Sequence, residues 1–340
     1  MPEPPTIRIG TRASQLALWQ AHWCAGKLRE AGFQVEIVEM TASGDRPETF
    51  SQPIAGGGAQ GIFTKEIQDA LLENRVDVAV HSLKDLPTET VPGLQLTAVP
   101  ERAPVEDALV LGRSGQTVAK VPVPPRSLAD LPDGVTIGTS SLRRKAQLLA
   151  FARTHGKNWS IQSVRGNLNT RFRKLDEGQY DALILARAGV ERLEMTDRIT
   201  AVLPLEEMFP AVSQGALGVE TRADDEPTNA IIRPLLNDPA VFGCVTAERA
   251  FLKALDGGCA TPIGGLCRWS ENPQKGEGEG EDEKDAGAFT LRGRVIALDG
   301  RLVLEDELSG SEPTALGKVL AQKLIARGAD ELVREARGLK

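Results

Sequence analysis

Short stretches of alternating apolar residues recur along the chain, each preceded or followed by a segment of helical period. In "VDVAVHSLKDLPTE" (76–89), Val76, Val78 and Val80 alternate as one face of a buried strand. The strand runs straight into Ser82, Lys84 and Asp85, and Pro87 closes it. An adjacent cation and anion at the end of a core strand is either an idle surface pair, worth about 0–1 kcal/mol, or the start of a site. "TIRIGTRASQLALWQAHW" from Thr6 and "VTIGTSSLRRKAQLL" from Val135 each predict a strand, an Ile-Gly-Thr turn, a Ser and a helix. Leu16, Trp19 and Trp23 give the first helix its expected apolar stripe. Ser14 and either Ser140 or Ser141 are candidate N-caps. Gly10 and Gly138 are expected to let the backbone turn tightly into each helix.

The two segments stand about 130 residues apart, each with arginine beside its turn: Arg12, then Arg143 and Arg144. Such junctions point free N–H groups and the positive end of a helix outward, which suits an anion. The duplication continues: "FTKEIQDALLENRVDVAVHSLKD" and "TRFRKLDEGQYDALILARAGVERL" both read helix then strand, Asp181 answering Asp77. Alternating strands and helices predict parallel sheets. The expected fold class is α/β: two similar periplasmic-binding-protein-like α/β domains flanking a cleft, plus a small α+β third domain. Ligands bind at the carboxyl ends of such strands. "LPLEEMFPAVSQGALGVETR" (203–222) is expected to cross back and complete the first domain. The expected boundaries are 1–117 with 212–236, 118–211, and 237–340, with the Pro-rich stretch 119–134 linking into the second domain.

In the third domain, "VTAERAFLKALDGG" predicts a helix stopped by two glycines, "FTLRGRVIALDGRLVLEDEL" a hairpin turned at Asp299-Gly300, and "TALGKVLAQKLIARGADELVREA" one terminal helix. The insertion 271–287 holds seven acidic residues, two basic ones and four glycines, so it is expected to be a disordered surface segment. The stretch 41–63, with its "GGG", has no periodicity and reads as a mobile lid.

Charge and composition then narrow the function. The 340 residues include 41% apolar and 26% charged, ordinary for a globular protein, and no apolar run approaches the roughly 20 residues of a membrane span. The N-terminus lacks an apolar signal core, so a cytoplasmic protein is expected. The net charge of −7 and 4% aromatics weigh against a nucleic-acid module. Yet Gly138 to Arg198 holds 12 Lys/Arg against 6 Asp/Glu. On pattern alone that is a solvated basic face. However, Arg143, Arg144, Arg165, Arg171 and Arg192 fall where strands end and helices begin, as a grip on several carboxylates or phosphates requires. No nucleotide-binding glycine motif is present. Four cysteines and three histidines show no zinc spacing, so no metal is expected. Cys24 and Cys244 read as small buried thiols. Cys259 follows two glycines in a loop and is either another such thiol or an exposed attachment point. Lys84 suits an anion or a Schiff base, and Asp85 a set of N–H groups or a developing cation.

"IGTRASQLALWQ", "AVHSLKDLPT", "IGTSSLRRKAQL", "VRGNLNTR", "VSQGALGVE" and "LDGGCATPIGG" together resemble the porphobilinogen deaminases (hydroxymethylbilane synthases) over nearly the whole chain. The resemblance implies a transferase of haem biosynthesis, joining four porphobilinogen molecules head to tail with loss of ammonia and hydrolytic release of hydroxymethylbilane. It implies a dipyrromethane cofactor on Cys259 through a thioether, built from substrate and serving as primer. Asp85 matches the catalytic carboxylate, holding pyrrole N–H groups and stabilising an azafulvenium-like cation. Ser82, Lys84, Thr139, Ser140, Ser141, Arg143, Arg144, Arg165 and Gly166 match cofactor-binding positions. Arg12, Ser14, Phe63, Arg165, Arg171, Arg192 and Gln214 match substrate-binding ones. The resemblance also implies a monomer that passes its product to uroporphyrinogen-III synthase. One position departs: many relatives carry Lys where this chain has Gln60, so the chain either does without that cation or uses Arg46 from the same segment. The alternative is a non-catalytic two-domain protein binding a carboxylate or oxyanion, which needs neither Cys259 nor a third domain.

Overall fold

The structure is a computed structural model and describes residues 6–40, 64–113, 125–258, 261–271 and 287–338. The first domain opens with β1 (Thr6–Arg12), α1 (Gln15–Glu30), β2 (Gln34–Met40), α2 (Lys65–Leu72), β3 (Val78–Ser82) and β4 (Leu94–Ala98). The chain then crosses to β5 (Asp107–Leu111), β6 (Thr136–Gly138), α3 (Leu142–His155), β7 (Ser160–Gln162), α4 (Leu168–Asp176), β8 (Ala182–Ala186), α5 (Arg187–Arg192) and β9 (Ala201–Val202). It returns to β10 (Leu217–Arg222) and α6 (Glu226–Leu236).

The two five-stranded sheets share one plan, β2-β1-β3-β10-β4 and β7-β6-β8-β5-β9. In each, the strand after the parallel trio is antiparallel and is supplied across the cleft: β10 pairs with β3, and β5 with β8. The expected return of 203–222 is therefore met. The first crossing, however, comes earlier than the expected boundary at 117. It precedes β5, whose five residues already pair in the second sheet. Leu128 and Leu131, from the supposed linker, are fully buried in the second domain's core. The Pro-rich composition hid a packed 3-10 turn, Leu128–Asp130, capped by Ser127.

The duplication extends to single bonds. Asp77 accepts from the backbone N–H of Arg8 at 2.9 Å, and Asp181 from that of Thr136 at 2.8 Å, each fastening the start of a strand to its neighbour. Gly10 and Gly138 lie inside strands and have no positive φ. A Cβ on Gly138 would stand 2.5 Å from Leu183 Cδ2, and one on Gly10 3.1 Å from Ile67 Cγ2. Close packing, and not turning, is why each is glycine. The core face of α1 is also displaced from the expected stripe: Ala17, Ala21, Cys24, Ala25 and Leu28 are buried, and their small side chains seat the helix tightly on the sheet. Leu16 and Trp19 flank that face and meet the second domain, where Arg192 lies 5.5 Å over the Trp19 ring. β3 is buried on both faces: Val78 and Val80 pack with α1 and Ala79 with α2, while Val76, expected on the face of Val78, precedes the strand and packs on the α2 side.

The third domain holds α7 (Pro239–Ala254), β11 (Ile263–Ser270), β12 (Ala288–Ile296), β13 (Val303–Gly310), α8 (Pro313–Ile325) and α9 (Ala329–Ala336). The terminal helix is thus two, broken at Gly328 with φ 94°. The left-handed residue after α7 is Asp256 (φ 51°) and not a glycine. Gly257 is there because a Cβ would meet Leu252 and Ile263 at 2.5 and 2.6 Å. Among the described residues no helix is long and apolar enough to cross a membrane.

Candidate functional site

β3 carries its burial to Ser82, and a single 3-10 turn, Leu83–Asp85, then brings the chain to the cleft. Leu83 anchors that turn, fully buried, while Asp85 is exposed. Ser82 Oγ accepts from Gln20 on α1 at 2.7 Å. Lys84 is partly buried, and its ammonium is pushed down to about 8. Loss of water is the main cause, Arg144 and Arg143 act in the same direction, and Asp85 and Asp107 oppose them. Buried Leu83 thus seats the turn that carries the two adjacent charges.

Facing it is the first turn of α3, capped by Ser141, whose hydroxyl accepts from Arg144 N at 3.4 Å. Ser140 instead donates to Val164 O, and the Thr139 hydroxyl accepts from Ser141 N at 3.2 Å. Arg143 and Arg144 are buried at a helix N-terminus, the end where the dipole disfavours cations. What holds them is Asp107, fully buried at the start of β5. Its carboxylate accepts from Arg143 Nη2 at 2.8 Å, and from Arg144 Nε at 3.1 Å and Nη2 at 2.8 Å. Burial alone would raise this carboxyl, but the two guanidinium groups hold it well below the usual range. Arg144 also donates to Ile184 O at 3.1 Å, and Arg143 to Phe209 O.

Arg171, on α4, is brought down to about 10, by burial first and by the neighbouring Arg144 second, with Asp85 opposing. It donates to Gly166 O at 2.9 Å, where Gly166 has φ 107° and a Cβ would lie 2.7 Å from Thr170. Arg165, Arg12 and Ser14 stand at the same strand ends, partly buried, Ser14 capping α1. Arg192 donates to Gly215 O at 2.7 Å and is likewise lowered to about 10, mainly by burial. It lines a second cavity with Lys84, Ser82 and Gln20. Lys84 feels Arg143 and Arg144 beside Asp85 and Asp107, and Arg171 feels Arg144 and Asp85, so these four cations stand beside two carboxylates in an excess of positive charge. Such an excess in a partly dry cleft favours a ligand with more than one negative charge.

The third domain reaches the same place. Arg249 on α7 donates to Leu86 O and Pro87 O, at 3.0 and 2.6 Å, clamping the chain just past Asp85. Thr261 N and Oγ1 both donate to Gly258 O, at 3.1 and 2.6 Å. Gly258, immediately before Cys259, lines one cavity with Lys84, Leu83 and Arg249. Cys259 itself lies outside the described residues, as do Phe63, Gln60, Arg46, the expected lid 41–63 and nearly all of the insertion. Among the described residues no cluster of His, Cys, Asp and Glu is arranged to hold a metal.

The description "Porphobilinogen deaminase, dipyromethane cofactor binding domain" matches residues 7–230, and "Porphobilinogen deaminase, C-terminal domain" matches 242–326. This chain belongs to the porphobilinogen deaminase family. Porphobilinogen deaminase of Acidithiobacillus ferrooxidans is 44% identical over 336 residues, covering 98% of this chain and 99% of that one. The Synechococcus elongatus enzyme is 44% identical over 333 residues, with 97% and 95% covered. Among solved structures, the extracellular-binding protein ytmK of Bacillus subtilis covers 74% of this chain and 97% of its own at 13% identity, with a TM-score of 0.39. The family carries a dipyrromethane cofactor-binding domain, and the arginines, serines and Lys84 of the cleft are the donor set that such a polycarboxylate needs.

Sequence reasoning overlooked Asp107, the residue that makes two buried arginines tenable. Its signal was an acidic residue leading the apolar run "DALVL", where a buried strand has no use for a charge unless it is paired. It also overlooked Arg249 and Glu248, which sit on one helix and tie the third domain to the first and to the outward crossing.

Proposed function

We propose that the chain is a hydroxymethylbilane synthase: it joins four porphobilinogen molecules head to tail onto a dipyrromethane primer on Cys259, releases ammonia at each addition, and frees the product by hydrolysis. The observation that supports this is the cavity lined by both Gly258 and Lys84, because these are the residues next in sequence to Cys259 and Asp85. Lys84, Arg143, Arg144 and Arg165, with Ser82, Thr139, Ser140, Ser141 and the Gly166 turn, hold the primer's acetate and propionate groups. Arg12, Ser14, Arg171 and Arg192 hold those of the substrate, and Phe63 offers an apolar face to its ring. Gln214, matched by the resemblance to a substrate contact, is fully buried with its amide nitrogen on Val105 O and Asp107, so it supports the site from behind. When bound, the dipyrromethane supplies the pyrrole carbon that is extended.

Asp85 accepts the pyrrole N–H of the substrate. As the substrate's C–N bond breaks and ammonia leaves, its carboxylate offsets the positive charge spreading into the ring. Asp85 would then accept the proton displaced from the ring carbon at which the new C–C bond is made. The rigid 3-10 turn keeps Asp85 at attack distance through each cycle. The same reading makes the chain a cytoplasmic monomer whose linear product goes to uroporphyrinogen-III synthase. Gln60 leaves Arg46 as the cation of the 41–63 segment.

Intact mass of the purified protein beside Cys259→Ser tests the proposal. A wild-type excess equal to one dipyrromethane, absent from the variant, supports it. A wild type that gains no mass even after incubation with porphobilinogen or preformed hydroxymethylbilane returns the chain to the carboxylate-binding alternative.

A further inference from the structure

Asp107 stands where the chain first enters the second domain, at the opening residue of β5. Its carboxylate meets three side chains. Two are Arg143 and Arg144; the third is Gln214, whose Nε2 donates to Asp107 Oδ1 at 2.8 Å. Gln214 is fully buried and lies on the return crossing toward β10. The same amide nitrogen donates to Val105 O on the outward crossing at 2.7 Å, and Arg102, also on that crossing, donates to Gln214 O at 2.9 Å. One carboxylate thus joins both covalent links between the domains to the two arginines at the N-terminus of α3. Any rotation of the domains must bend these crossings, since they are the chain's only passages between the two sheets among the described residues.

We propose that Asp107 is a positioning residue, which with Gln214 sets the guanidinium orientations of Arg143 and Arg144 from the inter-domain crossings. The inference rests on the reading of those arginines as ligand-binding. Physically, two adjacent guanidinium groups repel each other and the helix end, so without Asp107 they would spread toward water. With it, the pair is held as one fixed fork: Arg144 Nε and Nη2 and Arg143 Nη2 lie on the carboxylate, while Arg144 Nη1 is tied to Ile184 O and Arg143 Nη1 to Phe209 O. Because Gln214 holds the same carboxylate, opening or closing the cleft turns that fork, and the grip on a lengthening polycarboxylate is coupled to domain angle.

The test uses full-length protein made in a host unable to synthesise porphobilinogen, loaded with preformed hydroxymethylbilane and weighed intact over time, with urea unfolding alongside. Asp107→Asn should slow loading by about 10- to 100-fold, as misplaced binding groups do. Arg144→Ala should do the same, and the double variant should be no slower than the slower single one, because both changes remove one interaction. Gln214→Met keeps the Asp107–arginine contacts and should still slow loading several-fold. Losses that multiply in the double variant, or an Asp107→Asn protein that loads at the wild-type rate and is merely less stable, would overturn the proposal. If Asp107→Asn does not fold, Gln214→Met decides, and wild-type loading by it overturns the coupling. Wild-type loading by Arg144→Ala would instead show that the arginines are not ligand groups, removing the site reading and this inference together.

Discussion

Replacing Lys84 by methionine should make the ligand-free protein more stable while impairing its capacity to take up the dipyrromethane. The ammonium of Lys84 is pushed from 10.5 down to about 8, chiefly by loss of water. One pKa unit corresponds to about 1.4 kcal/mol, so holding the charge in the fold costs ~3 kcal/mol at most. Lys84 keeps some contact with water, which reduces this to about 1–3 kcal/mol. The folded value lies below the unfolded one, so between pH 8 and 10.5 the unfolded chain binds more protons, and wild-type stability from this group rises with pH. The advantage of Lys84→Met is accordingly full below pH 8 and gone by about pH 10.5. Urea unfolding of both ligand-free proteins at pH 6.5, 8 and 9.5 measures it. A variant less stable than wild type at the lowest pH, or an advantage that does not shrink with pH, would refute the argument that desolvation governs this site.

The other expectations concern the site and its supports. Asp85→Asn should abolish turnover and leave the unfolding midpoint nearly unchanged, since Asp85 is exposed; a near-normal steady-state rate would remove it from its proposed role. Glu248 is fully buried and accepts from Arg102 at 2.6 and 3.0 Å, from Ser213 N at 2.6 Å and from Cys267 N at 2.8 Å. Glu248→Ala should therefore cost about 3–5 kcal/mol in chemical unfolding, as breaking a buried charge pair does. Native cofactor-loaded protein should give no rapid reaction with a thiol reagent, because burial raises the Cys24 thiol to about 12, Cys244 and Cys267 are also buried, and Cys259 is a thioether. Unloaded protein should give one reactive thiol, lost in Cys259→Ser. Gly138→Ala should cost about 1–3 kcal/mol by crowding Leu183 and Tyr180, read as a lowered Tm.

What could be read from the sequence, and what could not, divides along a physical line. The repeated strand-turn-helix segments and the N-cap at Ser14 are set by local pattern, and local pattern survived folding, which also chose Ser141 over Ser140 as the second cap. The misplaced features depend on what lies across a gap in sequence. Gly10 and Gly138 looked like turn residues because glycine's absent side chain has two uses, and only the neighbours Ile67 and Leu183 show which applies. The stripe of α1 was assigned to its largest residues, yet a helix laid flat on a sheet buries its alanines and turns Trp19 outward to Arg192. The arginine cluster was legible as a grip on anions. Its dependence on Asp107 was not, because the carboxylate lies 36 and 37 residues away on another strand. That separation is itself informative. A site built only from loop arginines would lose its geometry whenever the cleft opened. Anchoring Arg143 and Arg144 to the segment where the chain changes domain gives the binding groups a reference that moves with the hinge, as a site that must keep hold of a lengthening chain requires.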